Sequence, residues 1–127
     1  MPTPTQRTLK VMKELGRISG MVEHFNPHVG EFGIRQDLFG FIDIICIDPQ
    51  QGIVAIQSCG QDYGGHVKKL TIERKEIVKL WLKHAPLELW GWRKVKKKRG
   101  GKQMIYKPRV ADFALVDGEI VVTERKV

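Results

Sequence analysis

The chain has 127 residues, 42% of them hydrophobic and 28% charged, enough for one domain with its own core and the wrong balance for a disordered chain. Lys and Arg number 22 against 14 Asp and Glu, a formal charge of +8 that favours polyanionic partners. No apolar run approaches the roughly 20 residues that span a bilayer, so a membrane-spanning helix is excluded.

The opening MPTPTQRTLK has no apolar stretch of the secretory kind, and the two cysteines, Cys46 and Cys59, sit in apolar contexts without zinc-ligand spacing. The expectation is a cytoplasmic protein with reduced thiols. Thr3-Pro4-Thr5-Gln6 is a helix opening, with Thr at the N-cap, Pro at the first position and Gln completing a capping box. Leu9, Val11, Met12, Leu15 and Ile18 recur at helical spacing, which predicts a helix to about Arg17. A strand over 21–25 follows, then a loop over 28–40 with three glycines. The segment 41–47, FIDIICI, is apolar on both faces apart from Asp43 and predicts a covered central strand, turning at 48–52 into a hairpin partner from Ile53.

A flexible connection over 60–65 leads to one long helix, with Val67, Leu70, Ile77, Leu80 and Trp81 inward, ended by Pro86. LELWGW (87–92) alternates as a strand. Strands at 104–106, 113–116 and 120–123 follow, the last two joined by the hairpin turn Asp117-Gly118. From Arg93 to Arg109 there are nine basic residues and no acid. Such a run is ordinarily a solvated hairpin tip. Its place between two strands, with Trp92 and Tyr106 at its flanks, points instead to nucleic-acid contact by Arg93, Lys94, Lys96, Lys97, Lys98, Arg99 and Lys102.

Asp43 needs an explanation, because an unpaired carboxylate on a covered strand costs several kcal/mol. It either pairs with a cation such as Arg35 or serves as a metal ligand where the strand emerges into a cleft. The order αβββαβ, with FIDIICI followed after a turn by IVAIQSC, resembles the PD-(D/E)XK nuclease superfamily, closest to archaeal-type Holliday-junction resolvases and small phage-encoded relatives. The segment RQDLFG (35–40) also looks like a sub-group of nuclease-like proteins.

That resemblance implies a restriction-endonuclease-like α/β fold: a mixed central sheet flanked by helices, a core over about 5–92, and extra C-terminal strands over about 93–127 of a single domain. It also implies a Mg²⁺- or Mn²⁺-dependent endonuclease or resolvase acting on branched or structured DNA as a homodimer, in a bacterial, archaeal or phage-infected cell. The alternative is an inactive nuclease-fold protein that binds nucleic acid or a protein partner. The family acid falls on Asp43, the second acid on Gln57 and the lysine on Cys59, so two of the three positions depart from the pattern.

Phosphodiester cleavage uses carboxylate-held metal ions to activate water, and a nearby lysine to orient it. Asp43, Gln57 and Glu23 are therefore the expected metal ligands, and Asp43, Gln57 and Lys68 the expected catalytic set. Glu14, Asp37 and Lys69 are the other candidates to replace the missing groups. His24, His28, His66 and His84 fit no metal-ligand spacing, and Trp81 and Trp90 read as core.

Overall fold

A computed structural model describes residues 2–127. Thr3 starts the first helix, α1 (Pro4–Glu14), as the capping box requires: its hydroxyl accepts from the Gln6 N–H at 3.1 Å and its own N–H donates to the Gln6 side chain at 2.9 Å. The chain continues through β1 (Ile18–Met21), a small hairpin of β2 (His24–Asn26) and β3 (Ile34–Gln36), then β4 (Ile44–Asp48) and β5 (Gly52–Cys59). Helix α2 (Tyr63–Lys68), a π-helical turn (Lys69–Glu73) and α3 (Lys75–Leu82) lead to β6 (Leu87–Lys96), β7 (Met104–Val116) and β8 (Glu119–Arg125).

Six strands form one sheet in the order β1-β4-β5-β6-β7-β8, while β2 and β3 pair only with each other. Only β5 and β6 run parallel, because only they are joined by the helical crossover. The protein is an α/β fold, a mixed sheet flanked by helices.

Side chains alternate across β5 and sort into two layers. Ala55 and Cys59 join Leu70, Val78, Leu87 and Leu89 beneath the helices of the crossover. Val54 and Ile56 join Met12, Ile44, Cys46 and Trp90 beneath α1. Buried on the α1 side, Arg17 makes two hydrogen bonds to Glu88, at 2.8 and 2.9 Å, and a third to Asp48 at 2.8 Å.

Several expectations shift. The first helix stops at Glu14, so Arg17 is freed to turn into the core, while Leu15 and Ile18 stand 53% and 71% exposed. The predicted strand over 21–25 divides into β1 and β2, and the loop over 28–40 contains β3. The long helix is interrupted: the π turn rotates the face of everything after it, and Arg74 breaks the helix at φ −112°. Val78 is consequently buried and Leu80 exposed, against the simple periodicity. The strands predicted at 104–106 and 113–116 are one continuous β7 of 13 residues, paired in register with β6 from Leu87↔Phe113 to Lys96↔Met104, while the strand predicted at 120–123 lies within β8. Among the described residues no helix is long and apolar enough to cross a membrane.

Candidate functional site

Asp43 sits just ahead of β4 rather than inside it, and its main chain ties three segments together. Its N–H donates to the Ile56 carbonyl at 2.9 Å, and its carbonyl accepts from the N–H groups of Val22 and Glu23. The β4–β5 ladder pairs Ile44 with Ile56, so Asp43 falls opposite Gln57. The two side chains meet: Gln57 Nε2 donates to Asp43 Oδ2 at 2.6 Å, and the same oxygen accepts from the Ser58 N–H at 2.8 Å.

Asp37 arrives by a tight turn. Leu38 and Ile42 exchange both backbone hydrogen bonds around Phe39 and Gly40, which take φ of 56° and 79°. Phe39, Gly40 and Phe41 make the three-residue loop, its first two residues left-handed, that reverses the chain, and the next residues outward are Asp37 and Asp43. An aromatic residue at positive φ is uncommon and costs energy. Gly40 supplies its positive φ without strain, and a Cβ there would lie 3.0 Å from Arg74 Nε. Glu23 completes the group, so that ligand oxygens of Glu23, Asp37 and Asp43 all lie within 4.8 Å of one another.

The cluster stands at the end of the sheet. On the α1 side, the Thr5 hydroxyl donates to Glu23 at 3.4 Å and shares a 2.9 Å hydrogen bond with Ser58. On the other side, Lys69 Nζ at the start of the π turn donates to Asp37 Oδ2 at 3.1 Å, and Gln57 Nε2 donates to the same oxygen at 3.2 Å. Burial, then the neighbouring Asp37, pushes Asp43 up to about 8. Burial alone would raise Asp37 too, but hydrogen bonds from Asp43, Gln57 and Lys69 hold it below the ordinary carboxylate range. The pair shares a proton at neutral pH. Gln57, 1% exposed, spends both amide hydrogens' direction on carboxylates and leaves Oε1 without a partner.

The expected site residues divide accordingly. Asp43, Gln57 and Glu23 come together, joined by Asp37. Lys68 does not join them: it is exposed on α2, and Lys69 faces the carboxylates instead. Arg35 does not pair with Asp43 but lies 3.3 Å from Glu23. Glu14, at the far end of α1, is exposed. Cys59 is buried beside Gly91, and burial pushes its thiol up to about 12, so it supplies no charge in place of a lysine. Asp37, a candidate from the sequence, reaches the cluster through a reversal at Phe39-Gly40, and nothing in the residue types marks a phenylalanine for positive φ.

The basic run forms the outer part of the β6–β7 hairpin. Arg93, Lys94 and Lys96 are exposed on β6, and Lys97, Lys98, Arg99 and Lys102 are exposed in the loop. Because β5 and β6 are parallel, this arm projects from the same end of the sheet as the carboxylates. Leu89 lies beside Gln57, and Lys96 is seven residues further on, roughly 23 Å along the strand. Trp92 is not free to stack on a base: it is 7% exposed and its indole N–H donates to the Thr8 hydroxyl at 2.8 Å. At the foot of the arm Arg93, Lys107, Arg109, Arg125 and Lys126 line a groove of about 560 Å³ whose one acid is Glu124.

The fold and site together define an α/β protein with a three-carboxylate cluster and a basic arm at one end of its sheet. Searches of protein-family models, curated proteins and solved structures return no match to this chain.

Proposed function

We propose that the protein is a metal-dependent phosphodiester hydrolase of the PD-(D/E)XK kind, acting on branched or structured DNA. The observation that carries this reading is the cluster of Glu23, Asp37 and Asp43, with ligand oxygens within 4.8 Å, beside a buried amide oxygen of Gln57 that has no donor. Hard cations of the Mg²⁺ or Mn²⁺ type take oxygen ligands, and carboxylates sharing a proton at neutral pH are a donor set that such an ion satisfies. The element order α1, β1, β4, β5, helical crossover, β6 is the order in which that superfamily builds its core, which supports a restriction-endonuclease-like assignment.

Glu23, Asp37 and Asp43 would hold the ion, with Gln57 Oε1 as a neutral fourth ligand once the amide is turned. The ion supplies charge neutralisation at the phosphate and an acidified water. Lys69 would orient that water or offset phosphate charge, the role for which Lys68 and Lys69 are the candidates in place of Cys59. The basic arm holds the backbone of a polyanion without reading sequence. Two-fold substrates such as a four-way junction suit a homodimer, and sedimentation of the free protein tests that part.

One observation favours the second reading, a nuclease-fold protein that binds nucleic acid without cutting it. Gln57 Nε2 donates to both Asp37 and Asp43, a neutral cross-link that stabilises the cluster with no ion. A cleavage assay with Mg²⁺ and Mn²⁺ on duplex, single-stranded, flap and four-way-junction DNA separates the two. The hydrolase reading expects cleavage that Asp43→Asn abolishes while DNA binding is retained. Binding without cleavage in either metal gives the function to the second reading.

A further inference from the structure

The small β2–β3 hairpin stands outside the main sheet, yet it is rooted in the carboxylate cluster at both feet: Glu23 immediately precedes β2 and Asp37 immediately follows β3. Its tip is shaped rather than slack. The Asn26 side chain accepts from the His28 N–H at 3.0 Å, Gly30 and Gly33 take φ of 72° and 77°, and the Phe25 ring occupies the space that a Cβ on Gly33 would fill. The residue between those contacts, Phe32, is 85% exposed, more than any other large hydrophobic side chain among the described residues.

An aromatic ring held out in water at the end of a built turn serves no core. Its surroundings select its partner. One side of the hairpin forms a cleft of about 520 Å³ carrying His24, Arg35, Lys69 and Arg74, with Asp37 as its one acid. Arg35, Lys69 and Arg74 in a cleft beside the carboxylates, on one side of the hairpin that carries the ring, match a nucleotide chain, with phosphates in the cleft and a base against the ring. Phe25 and Ile34 of the same hairpin are also exposed, at 58% and 42%, so an apolar protein contact is the competing outcome that the test below separates.

We infer that the β2–β3 hairpin is a base-binding arm, in which Phe32 stacks on or wedges beside an unpaired base while the cleft at its foot holds the connecting phosphates. This inference rests on the nucleic-acid reading above and adds the substrate feature that reading lacks. A fully stacked duplex offers the ring no free base face, whereas a branch point, flap or bulge does. The distance is bounded by the chain. Phe32 is five residues from Asp37, at most roughly 17 Å of extended backbone, which is about five nucleotide steps at 3.4 Å each. The base concerned therefore lies within about five nucleotides of the phosphate at the metal site.

The test uses the full chain with Ca²⁺ in place of Mg²⁺ to hold DNA uncut, and flap or four-way-junction DNA carrying 2-aminopurine at successive positions through the branch. Wild type is expected to change the fluorescence at one or two adjacent positions. Phe32→Ala, at an exposed site that leaves the melting temperature unchanged, is expected to lose that change and to bind branched DNA about tenfold more weakly, with duplex binding little altered. Phe32→Tyr is expected to restore both. If Phe32→Ala binds branched DNA as wild type does with the same 2-aminopurine signal, the inference fails while the nucleic-acid reading stands. If wild type binds no DNA of any shape, both fail together. If Phe32→Ala changes sedimentation of the free protein and leaves the base signal intact, the ring is a protein contact and the inference is overturned.

Discussion

Asp43 and Asp48 bracket β4, one just before it and one at its last residue, and the charge buried around each is handled in opposite ways. Near Asp48, each acid meets a guanidinium. Arg17 takes Glu88 with two hydrogen bonds and Asp48 with a third, Arg125 lies 3.4 Å from Glu88, and Trp90 donates to Glu88 at 3.0 Å. Glu88 is held below the ordinary carboxylate range, its burial outweighed by Arg17. Around Asp43, three carboxylates share Lys69 and the largely exposed Arg35, a buried amide oxygen goes without a donor, and Asp43 is pushed up to about 8. The first arrangement satisfies its own charges, as a structural network does. The second crowds three carboxylates together and pushes one of them far from its ordinary range, the feature on which the proposed metal site rests.

The largest contrast is in stability. Arg17→Met leaves Glu88 buried without its main cation and should cost about 3–5 kcal/mol in urea unfolding, with any response to Mn²⁺ unchanged. Asp43→Asn should leave the metal-free protein as stable or more stable, because a disfavoured buried carboxylate is removed. A loss as large as that of Arg17→Met would make Asp43 a structural ion-pair residue and end the comparison.

Metal binding is the next effect. Mn²⁺ at a hundredfold its Kd should stabilise wild type by about 2.7 kcal/mol and leave Asp43→Asn unmoved. Since the ion displaces the shared proton, affinity should rise by about tenfold per pH unit up to pH 8 and flatten above it. Titration calorimetry in buffers of different ionisation enthalpy reads the released proton directly. An affinity independent of pH would remove Asp43 from the ligand set.

Acid stability sharpens the same contrast, and the signs are opposite. Asp48 is lowered from 3.8 to about 2, first by the Gln51 N–H and then by Arg17. Its contribution is full above pH 3.8 and is lost as pH falls toward 2. Asp43 is raised, so the metal-free fold loses stability as pH climbs from about 4 to 8. Asp48→Asn should reduce the acid limb, to which Glu88 and Asp37 also contribute, and Asp43→Asn should remove its share of the loss between about pH 4 and 8, each read from unfolding midpoints across pH.

The smallest effect concerns the basic arm. Replacing Lys96, Lys97, Lys98 and Arg99 with Ala should leave the fold alone and lower the slope of log affinity against log salt by roughly 0.9 per lost phosphate contact. An unchanged slope would take the arm out of the interface. On the proposed hydrolase reading Gln57→Glu adds a ligand charge and is expected to raise cleavage, whereas a lysine at Cys59, 5% exposed, would bury a charge.

Much of this was readable along the chain. The Thr3–Gln6 capping box, the Asp117-Gly118 turn and the pairing of Asp43 with Gln57 depend on neighbours in sequence or on the period of two, and each formed as the pattern implies. The strand expected to be covered on both faces, by contrast, leaves Ile47 55% exposed. What resisted reading depends on phase and on distant partners. One π turn moved the inward face of the helix that follows it, so Val78 is buried and Leu80 exposed. The buried pair of Arg17 and Glu88 joins residues 71 apart, and no local pattern distinguishes it from two solvated charges.

The sequence by itself determined a basic, single-core α/β chain with one acid too apolar in its surroundings to be idle, because composition and periodicity act locally. Only the tertiary structure decided which acids join Asp43. Glu23, Asp37 and Asp43 come from three separate crossings of the chain, and their meeting depends on a strained turn at Phe39 and on backbone hydrogen bonds to Asp43 that no spacing encodes.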